Sequence, residues 1–546
     1  MKRVFKVLLV VLCIPATLLL ASLIALGVGY AMYWNVVRQT PGGLKPAVLP
    51  GDIGKEVNVF AGTGGIFYLS PYDTPAATTP FGMVRLAPDT ASLFINKTAL
   101  SAAGYYYPDN KIIGFSHNRL VGADAEEGGN FRIIPTVASS VAKAREEGQF
   151  AKFSHKRETA SPGYYAVELP GLGIRADLTA TPRVGIHRYT FKGNDAPHLL
   201  LDVTSVLGER KVADGLVWLY PDKREIEGSV TTFGTFGGRY GGLRVHFAAR
   251  VDQPFAEYGI LCGKTFRPKD VMAAGDHIVV DLGFAANPPK QVVEVRLALS
   301  YVSIENAHEN LDTEAGGTFE ELAAKARDDW ENYLSKARIE GGTVDQRAIF
   351  ISALYRSFLM PTVFCDVNGD YMGFDKAVHK AEGFRYYTDF SLWDTFRTLH
   401  PLYNLIARDE QRDMLKSLTD MAVRGGGLPR WPSGCGFTGC MFGSPANMVI
   451  AESYLKGIRD FDVEAAYAAM CRTARGQTPS GADPRGGIEN YLAAGYISDE
   501  TMSKSVACTL EYAYADDALS RLAAALGKTD DAKEFKEHSQ FYRNVW

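Results

Sequence analysis

The chain has 546 residues, 46% of them hydrophobic and 22% charged, with 58 Lys and Arg set against 62 Asp and Glu for a net charge of −4. This composition excludes long disorder, and a near-neutral balance without a dense basic run excludes a nucleic-acid partner. The length allows roughly two to four domains with buried cores.

Met1-Lys2-Arg3 and Lys6 precede a segment, Val7 to Val37, that carries no charged side chain. Spanning hydrocarbon takes ~20 residues, so the segment is long enough to cross a bilayer. Tyr30, Tyr33 and Trp34 stand at its far end, as an interfacial belt would. With the basic residues on the cytoplasmic side, residues 1–37 read as a signal anchor in the inner membrane, and the bulk of the chain as periplasmic or extracellular. A cleaved signal peptide is the alternative, because LLASLIALG offers small residues near a cut. Residues 38–55, rich in Pro and Gly, read as a stalk.

Of seven cysteines, Cys13 lies in the apolar segment. Cys262, Cys365, Cys435, Cys440, Cys471 and Cys508 remain, an even number that permits disulfides in an exported protein; Cys435 with Cys440 could close a small loop. No His or Cys spacing matches a zinc site, and no phosphate loop or G-x-G-x-x-G points to a nucleotide.

Residues 56–304 are dense in strand signals: FRIIPTVAS, GIHRYTFKG, LRVHFAARV and VVEVRLALSYVS among them. In the last, Val293, Val295, Leu297, Leu299 and Tyr301 alternate with Glu294, Arg296, Ala298 and Ser300, the period of a half-buried strand. Many strands without intervening helices predict an antiparallel β-sandwich. Residues 305–342 read as a linker helix. From 343 to 546 helical patterns recur, at 343–360, 391–407, 409–424, 445–457, 462–475, 505–526 and 529–546, joined by short aromatic-rich loops. Antiparallel helix pairs of this kind predict an (α/α)6 toroid. The helices are too few to close one and the last runs to Trp546 in mid-pattern, so the toroid reads as C-terminally truncated.

Between Glu382 and Arg397 the chain packs Phe384, Tyr386, Tyr387, Phe390, Trp393 and Phe396 among Glu382, Asp389, Asp394, Arg385 and Arg397. Aromatic faces that receive a pyranose ring, with carboxylates and a guanidinium for its hydroxyls, make a sugar pocket. The bland alternative is a helix start, with Ser391 as N-cap and Asp394 at N3, or an Asp394–Arg397 pair. Glycoside hydrolysis needs two carboxylates about 5 Å apart for retention or ~6.5–9.5 Å for inversion. Asp389 and Asp394 flank the predicted helix start, but neither is assigned as acid or base. FCDVNGDYMGFD carries Asp366, Asp370 and Asp375; its spacing departs from the EF-hand, and a hairpin with solvated aspartates is the better reading. His117 reads as a satisfied core histidine. No nucleophile elbow supports acyl transfer.

Several stretches together resemble glycoside hydrolase family 92, the calcium-dependent exo-acting α-mannosidases. They are NVFAGTGG (58–65), TPFGMVRLAPDT (79–90), GYYYPDNKIIGFSH (104–117), LYRSFLMP (354–361), HKAEGFRYYTDFSLWDTFRTLHPL (379–402), GGLPRW (426–431), GCM (439–441) and YLKGIRDFD (454–462). The resemblance implies a β-sandwich packed on an (α/α)6 barrel, an active site at their interface, inversion, and Ca²⁺ at the bound mannose. By the same carry-over Asp394 falls on the aspartate that holds hydroxyls of the terminal mannose, and Trp393, Arg397 and Trp431 fall in pocket-lining motifs. The family's general acid, general base and main calcium ligands belong to motifs beyond the equivalent of Trp546, so the catalytic and metal residues stay unassigned and the chain alone is expected to be inactive. Val59, Arg119 and Phe437 replace a proline, a histidine and a glutamate usual in the family. The implied function is an exo-acting inverting α-mannosidase acting on mannose-containing glycans or glycoproteins; the second reading is a non-catalytic, membrane-anchored glycan-binding protein.

Overall fold

The fold is described from a computed structural model over residues 2–44, 54–65, 72–91, 101–148, 151–208, 210–287 and 289–545, with side chains from Thr17 onward. The N-terminal segment is one helix, α1 (Lys2–Val37), and its stretch Thr17–Val37 is long and apolar enough to cross a membrane. Leu18 to Leu26 stay exposed along it. Beyond it, the part of the expected stalk that lies among the described residues is fastened to the body. The Gly42 amide donates to the Glu158 carbonyl at 2.7 Å and Ser154 Oγ to Gln39 Oε1 at 2.6 Å. The Tyr107 hydroxyl donates to the Gln39 carbonyl. Residues 45–53 lie outside the described set.

Two antiparallel sheets follow, stacked face to face. Among the described residues the first has eight strands. Its main path runs Ala87–Ala91, Lys111–Ser116, Arg132–Val137, Pro197–Asp202, Ile278–Gly283, Glu257–Cys262, Thr265–Pro268. The second has nine, ordered Met272–Gly275, Lys211–Tyr220, Glu225–Phe233, Leu243–Val251, Lys290–Ser300, Val184–Lys192, Ile174–Ala180, Tyr164–Leu169, Glu158–Ser161. In Lys290–Ser300 the alternation read from sequence sets the faces: Val293, Val295, Leu297 and Leu299 enter the core between the sheets. Full burial of such a side chain contributes about 1.5–3 kcal/mol, which fixes register because a one-residue slip would turn all of them outward. Ala298 faces the other way, where its small size lets helices approach. Helix α2 (Ala138–Glu147) covers part of the outer face of the eight-stranded sheet.

Residues 305–342, expected to hold one linker helix, hold two. Helix α3 (Ile304–Glu314) is capped by Ser303 Oγ, which accepts from the Asn306 amide at 3.1 Å. Helix α4 (Phe319–Leu334) opens with a capping box in which Thr318 and Glu321 accept from each other's amides at 3.3 and 2.8 Å. Gly316-Gly317 separates them. Ala307, Leu311, Phe319 and Leu322 pack on Val184, Ile186, Ala248 and Ala298, so both helices belong to the outer face of the nine-stranded sheet.

The helical part comprises α5 (Val344–Arg356), α6 (Leu392–Thr395), α7 (Leu399–Ile406), α8 (Arg408–Gly425), α9 (Pro445–Leu455), α10 (Val463–Ala474), α11 (Ile488–Ala494), α12 (Ser505–Ala525) and α13 (Thr529–His538). Here α8 packs on α7 and α10, and α12 on α9, α10 and α13. The helix expected over 391–407 is broken at Arg397-Thr398. Pro401 is the reason: it has no amide to donate, and its ring excludes a helical carbonyl at Arg397, so it fits only the first turn of a new helix. The pattern read over 529–546 likewise stops at His538 and gives way to a 3₁₀ turn, Phe541–Val545.

Sandwich and helices share one continuous core. Phe81, from a sandwich loop, sits among Tyr333, Phe358, Tyr387 and Tyr403 with ring centroids 5.7 to 5.8 Å away. Its amide donates to the Phe358 carbonyl at 2.7 Å and its carbonyl accepts from Val363 at 2.9 Å. Trp330 on α4 donates from its indole to the Thr78 carbonyl at 2.6 Å.

Candidate functional site

Two concave places lie along the segment singled out in the sequence. The first is a small cavity of about 30 Å³ between sandwich loops and the helical part, room for a water or two. Arg85, Asn118 and Glu127 reach it from the sandwich, Tyr301 from the end of Lys290–Ser300, and Asp389 and Ser433 from the helical side. Arg85 is 2% exposed. It donates to the Arg119 carbonyl at 3.1 Å, to Thr362 Oγ1 at 2.9 Å and to the Leu359 carbonyl. Its Nε has no partner. Burial lowers the Arg85 guanidinium to about 10, against the raising influence of the Asp389 charge. Asp389 holds a left-handed backbone, φ +59°, that a non-glycine residue adopts only when its surroundings hold it there. The hold is visible: its Oδ1 accepts from Ser433 Oγ at 2.8 Å and from the Gly434 amide at 3.3 Å.

Glu127 accepts from the Phe236 amide and, at 2.9 Å, from the Gly237 amide. Burial nevertheless pushes its carboxyl from 4.5 up to about 7, those two bonds only moderating the rise. The native state therefore keeps a proton that the unfolded chain has released between the two values, and stability from this group falls as pH rises from about 4.5 through about 7. The loss is on the order of 3 kcal/mol at about 1.4 kcal/mol per pH unit. Thermal unfolding followed from pH 4.5 to 8 should show a shallower decline for Glu127→Gln than for the unmodified protein; parallel profiles would refute this.

The second place is an open groove of about 770 Å³ between the α6–α7 junction, α9 and α12. Arg397 and Glu511 line it, while Trp393 and Asp394 sit on short helix α6 just ahead of Arg397 and are not among its lining residues. Asp394 is exposed, and Ser391 Oγ donates to its Oδ2 at 2.5 Å. No side-chain cap forms at Ser391, so the expected capping box is absent. Nor does Arg397 pair with Asp394: it donates to Glu511 Oε1 on α12 at 3.0 Å and lies over the Trp393 and Phe396 rings at 4.5 and 4.4 Å. Trp393 meets Phe442 edge to face at 5.5 Å. Trp393 Nε1 and Glu511 Oε2 are both buried here. Burial raises the Glu511 carboxyl above its ordinary value, with Arg397 and the Trp393 indole opposing. Trp393 and Arg397 thus come together with a carboxylate that the sequence reading did not single out, while Asp394 is turned to Ser391. Glu511 is the lone acid in SVACTLEYAYA, an otherwise uncharged run, and that is the signal it carried. Trp431 is elsewhere, 3% exposed and packed on Phe236 at 4.6 Å, in the wall between the helical part and a sandwich loop.

Among the described residues no group of three or more His, Cys, Asp or Glu side chains fits a metal ion. The 364–375 turn forms the expected hairpin, Asp370–Met372 with Val378–Lys380, but Asp366 is buried rather than solvated. Its carboxylate accepts from Ser300 Oγ at 2.7 Å, Asn306 at 2.9 Å and Asn310 at 2.7 Å, which leaves it poorly disposed toward calcium. The six described cysteines are free. Cys435 is buried beside Lys376 Nζ at 3.4 Å while Cys440 faces Arg239 at 3.2 Å, so the loop-closing disulfide is not formed. His117 is a core histidine, bonded to the Phe131 carbonyl at 2.8 Å and lowered by burial to about 4.

Comparison with known proteins matches residues 56–300 to the glycosyl hydrolase family 92 N-terminal domain and residues 306–546 to the family 92 catalytic domain. A family 92 α-mannosidase from Bacteroides thetaiotaomicron, solved also in complex with mannoimidazole, is 30% identical, with a TM-score of 0.82 over 90% of this chain and 65% of its own. A family 92 inverting mannosidase of the same bacterium is 28% identical, with a TM-score of 0.79 over 92% of this chain and 66% of its own. An uncharacterized secreted glycosidase of Arthroderma benhamiae is 25% identical over 90% of this chain and 61% of its own length. The chain thus spans somewhat under two thirds of the relatives it matches. With the two family models falling in chain order on the sandwich and the helical part, the chain belongs to glycosyl hydrolase family 92.

Proposed function

We propose that the protein is an exo-acting α-mannosidase that removes terminal mannose from glycans or glycoproteins with inversion, and that Asp394, Trp393 and Arg397, joined by Glu511, hold the terminal sugar. The observation that carries the reading is the groove wall, where the Arg397–Glu511 pair stands beside the Trp393 indole, with Asp394 exposed on the same short helix as Trp393. An indole takes the apolar face of a pyranose, and Asp394 accepts from its hydroxyls. Trp431 acts as a supporting wall. Mannoside as substrate class, and inversion, rest on the named activities of the two bacterial relatives. Calcium is carried over from the family resemblance alone; no described donor set fits it, and no step is derived through it.

The protein's sandwich, linker and helical units are placed at 56–304, 305–342 and 343–546, with the sugar held at the groove of the helical unit. The apolar helix is proposed to anchor the protein in the inner membrane, with the body in the periplasm or outside the cell. In this reading the protein is retained on mannan, fractionates with membranes, and loses about tenfold or more in mannan affinity on Asp394→Ala, the value of one or two charged hydrogen bonds. Assayed on α-mannobiose, it should release mannose with Ca²⁺ and not with chelator. Inertness on every α-mannoside, with mannan still bound, would overturn the enzyme reading in favour of glycan binding.

A further inference from the structure

Two carboxylates staple one end of the seam between sandwich and helical part, one from each side. From the sandwich, Glu127 takes the amides of Phe236 and Gly237, at the start of the turn 236–240. That turn docks on the loop 431–440 of the helical part. Phe236 packs on Trp431 at 4.6 Å, and Arg239 donates to the Thr438 carbonyl at 2.7 Å. Tyr240 lies so close to Gly436 that a Cβ there would stand 2.4 Å from its ring. From the helical part, Asp389 holds the same loop through Ser433 Oγ and the Gly434 amide. Both carboxylates line the cavity of about 30 Å³.

Charge does not balance in that cavity. Arg85 and Arg119 are the guanidinium groups on its lining, but Arg119 and nearby Arg132 answer Asp89 and Asp202. Arg210 is spent on Glu126 at 2.6 Å. Lys376 stands over the Tyr240 ring and donates to the Cys435 carbonyl, outside the lining. Tyr240 and Tyr301 stay neutral, since burial raises both hydroxyls far above their ordinary value. Among the described residues, Arg85 alone is left to face two carboxylates, and an uncompensated charge in a buried site is strongly unfavourable. A proton on Glu127 restores neutrality. We propose that Glu127 and Asp389 form a pH-operated latch: with Glu127 protonated the turn 236–240 stays docked on the loop 431–440, and once it ionises the like charges part the two. The docked state keeps the proton up to about 7, whereas a freed, hydrated Glu127 loses it from 4.5. Docking is therefore full in acid and weakens as pH rises through that interval. The Phe81 and Trp330 contacts carry no charge, so the rest of the seam stays shut. None of this depends on the α-mannosidase reading.

The test is hydrogen exchange of the detergent-solubilised full chain, corrected for the intrinsic rate at each pH. Peptides covering 234–240 and 431–440 are expected to lose about tenfold or more in protection between about pH 5 and about pH 8, with sheet peptides unchanged. Glu127→Gln keeps an acceptor for both amides and carries no charge, so its protection should be flat across that range. Asparagine tolerates the left-handed backbone of position 389. Asp389→Asn thus removes only the facing charge, and should shrink the change without abolishing it, because burial still opposes a charge on Glu127. Protection that does not vary with pH in the unmodified protein, or that varies in full in Glu127→Gln, would overturn the latch. Loss of protection spread over the whole chain would show unfolding instead of a local release, and would overturn it equally.

Discussion

Phe81→Ala is expected to cost about 3–5 kcal/mol, the range for removing a large aromatic from a core that cannot collapse around the gap. Phe81 is fully buried, and the four rings around it come from α4, α7 and the segments 357–361 and 384–391, all outside the sandwich. Losing the ring removes the centre of the seam that joins the two parts, so denaturant unfolding should become broader, and calorimetric and van't Hoff enthalpies should separate. Its backbone sharpens the test. Phe81 has φ +58°, a conformation that costs a side-chain-bearing residue roughly 1–2 kcal/mol. Phe81→Gly loses the same ring and relieves that strain, and should therefore be less damaging than Phe81→Ala, the reverse of the usual order. A loss under about 1 kcal/mol for Ala would show that the seam does not depend on this residue.

Asp516→Ala should cost a similar amount by a different route. Asp516 and Arg485 are fully buried as side chains, with Asp516 Oδ1 2.8 Å from the guanidinium. Tyr491 donates to Asp516 Oδ2 at 3.0 Å and Arg485 to Ser444 Oγ at 2.9 Å, so the pair ties α9, α11 and α12 together. Removing one partner leaves a buried charge uncompensated, about 3–5 kcal/mol, whereas replacing both by apolar residues of similar volume is often neutral or stabilising. Arg485→Met combined with Asp516→Leu should then recover most of the stability lost in Asp516→Ala. Urea unfolding of the two variants decides it: a double variant worse than the single one would mean that the bonds to Tyr491 and Ser444, and not charge pairing, carry the effect.

The sheets were legible because the strand Lys290–Ser300 advertises its two faces by alternation, and the helices because their patterns recur between short loops; two of their starts, Thr318 with Glu321 and Thr343 with Gln346, prove to be capping boxes whose partners lie three residues apart. What went unread depends on partners distant in the chain. Pro401 breaks the helix expected over 391–407, a breaker visible in the sequence but outweighed there by the apolar period around it. The Ser391–Asp394 spacing matched a capping box, yet Ser391 donates to Asp394 instead of accepting from the backbone. Arg397 chose Glu511, more than a hundred residues away, over its neighbour at i−3. Glu127, Arg85 and Asp389 meet only because the sandwich closes on the helical part, and no local pattern in the chain encodes that meeting.

The fastening of residues 39–42 to the sandwich, together with the Tyr33 hydroxyl reaching the Gly65 carbonyl at 3.2 Å, has a mechanical consequence for a protein held by α1. Helix and body are joined as a lever, not as a ball on a string. Were α1 set in a bilayer, each degree of its lean would swing the body through an arc, and rotation about the helix axis would carry the groove around a circle of fixed height.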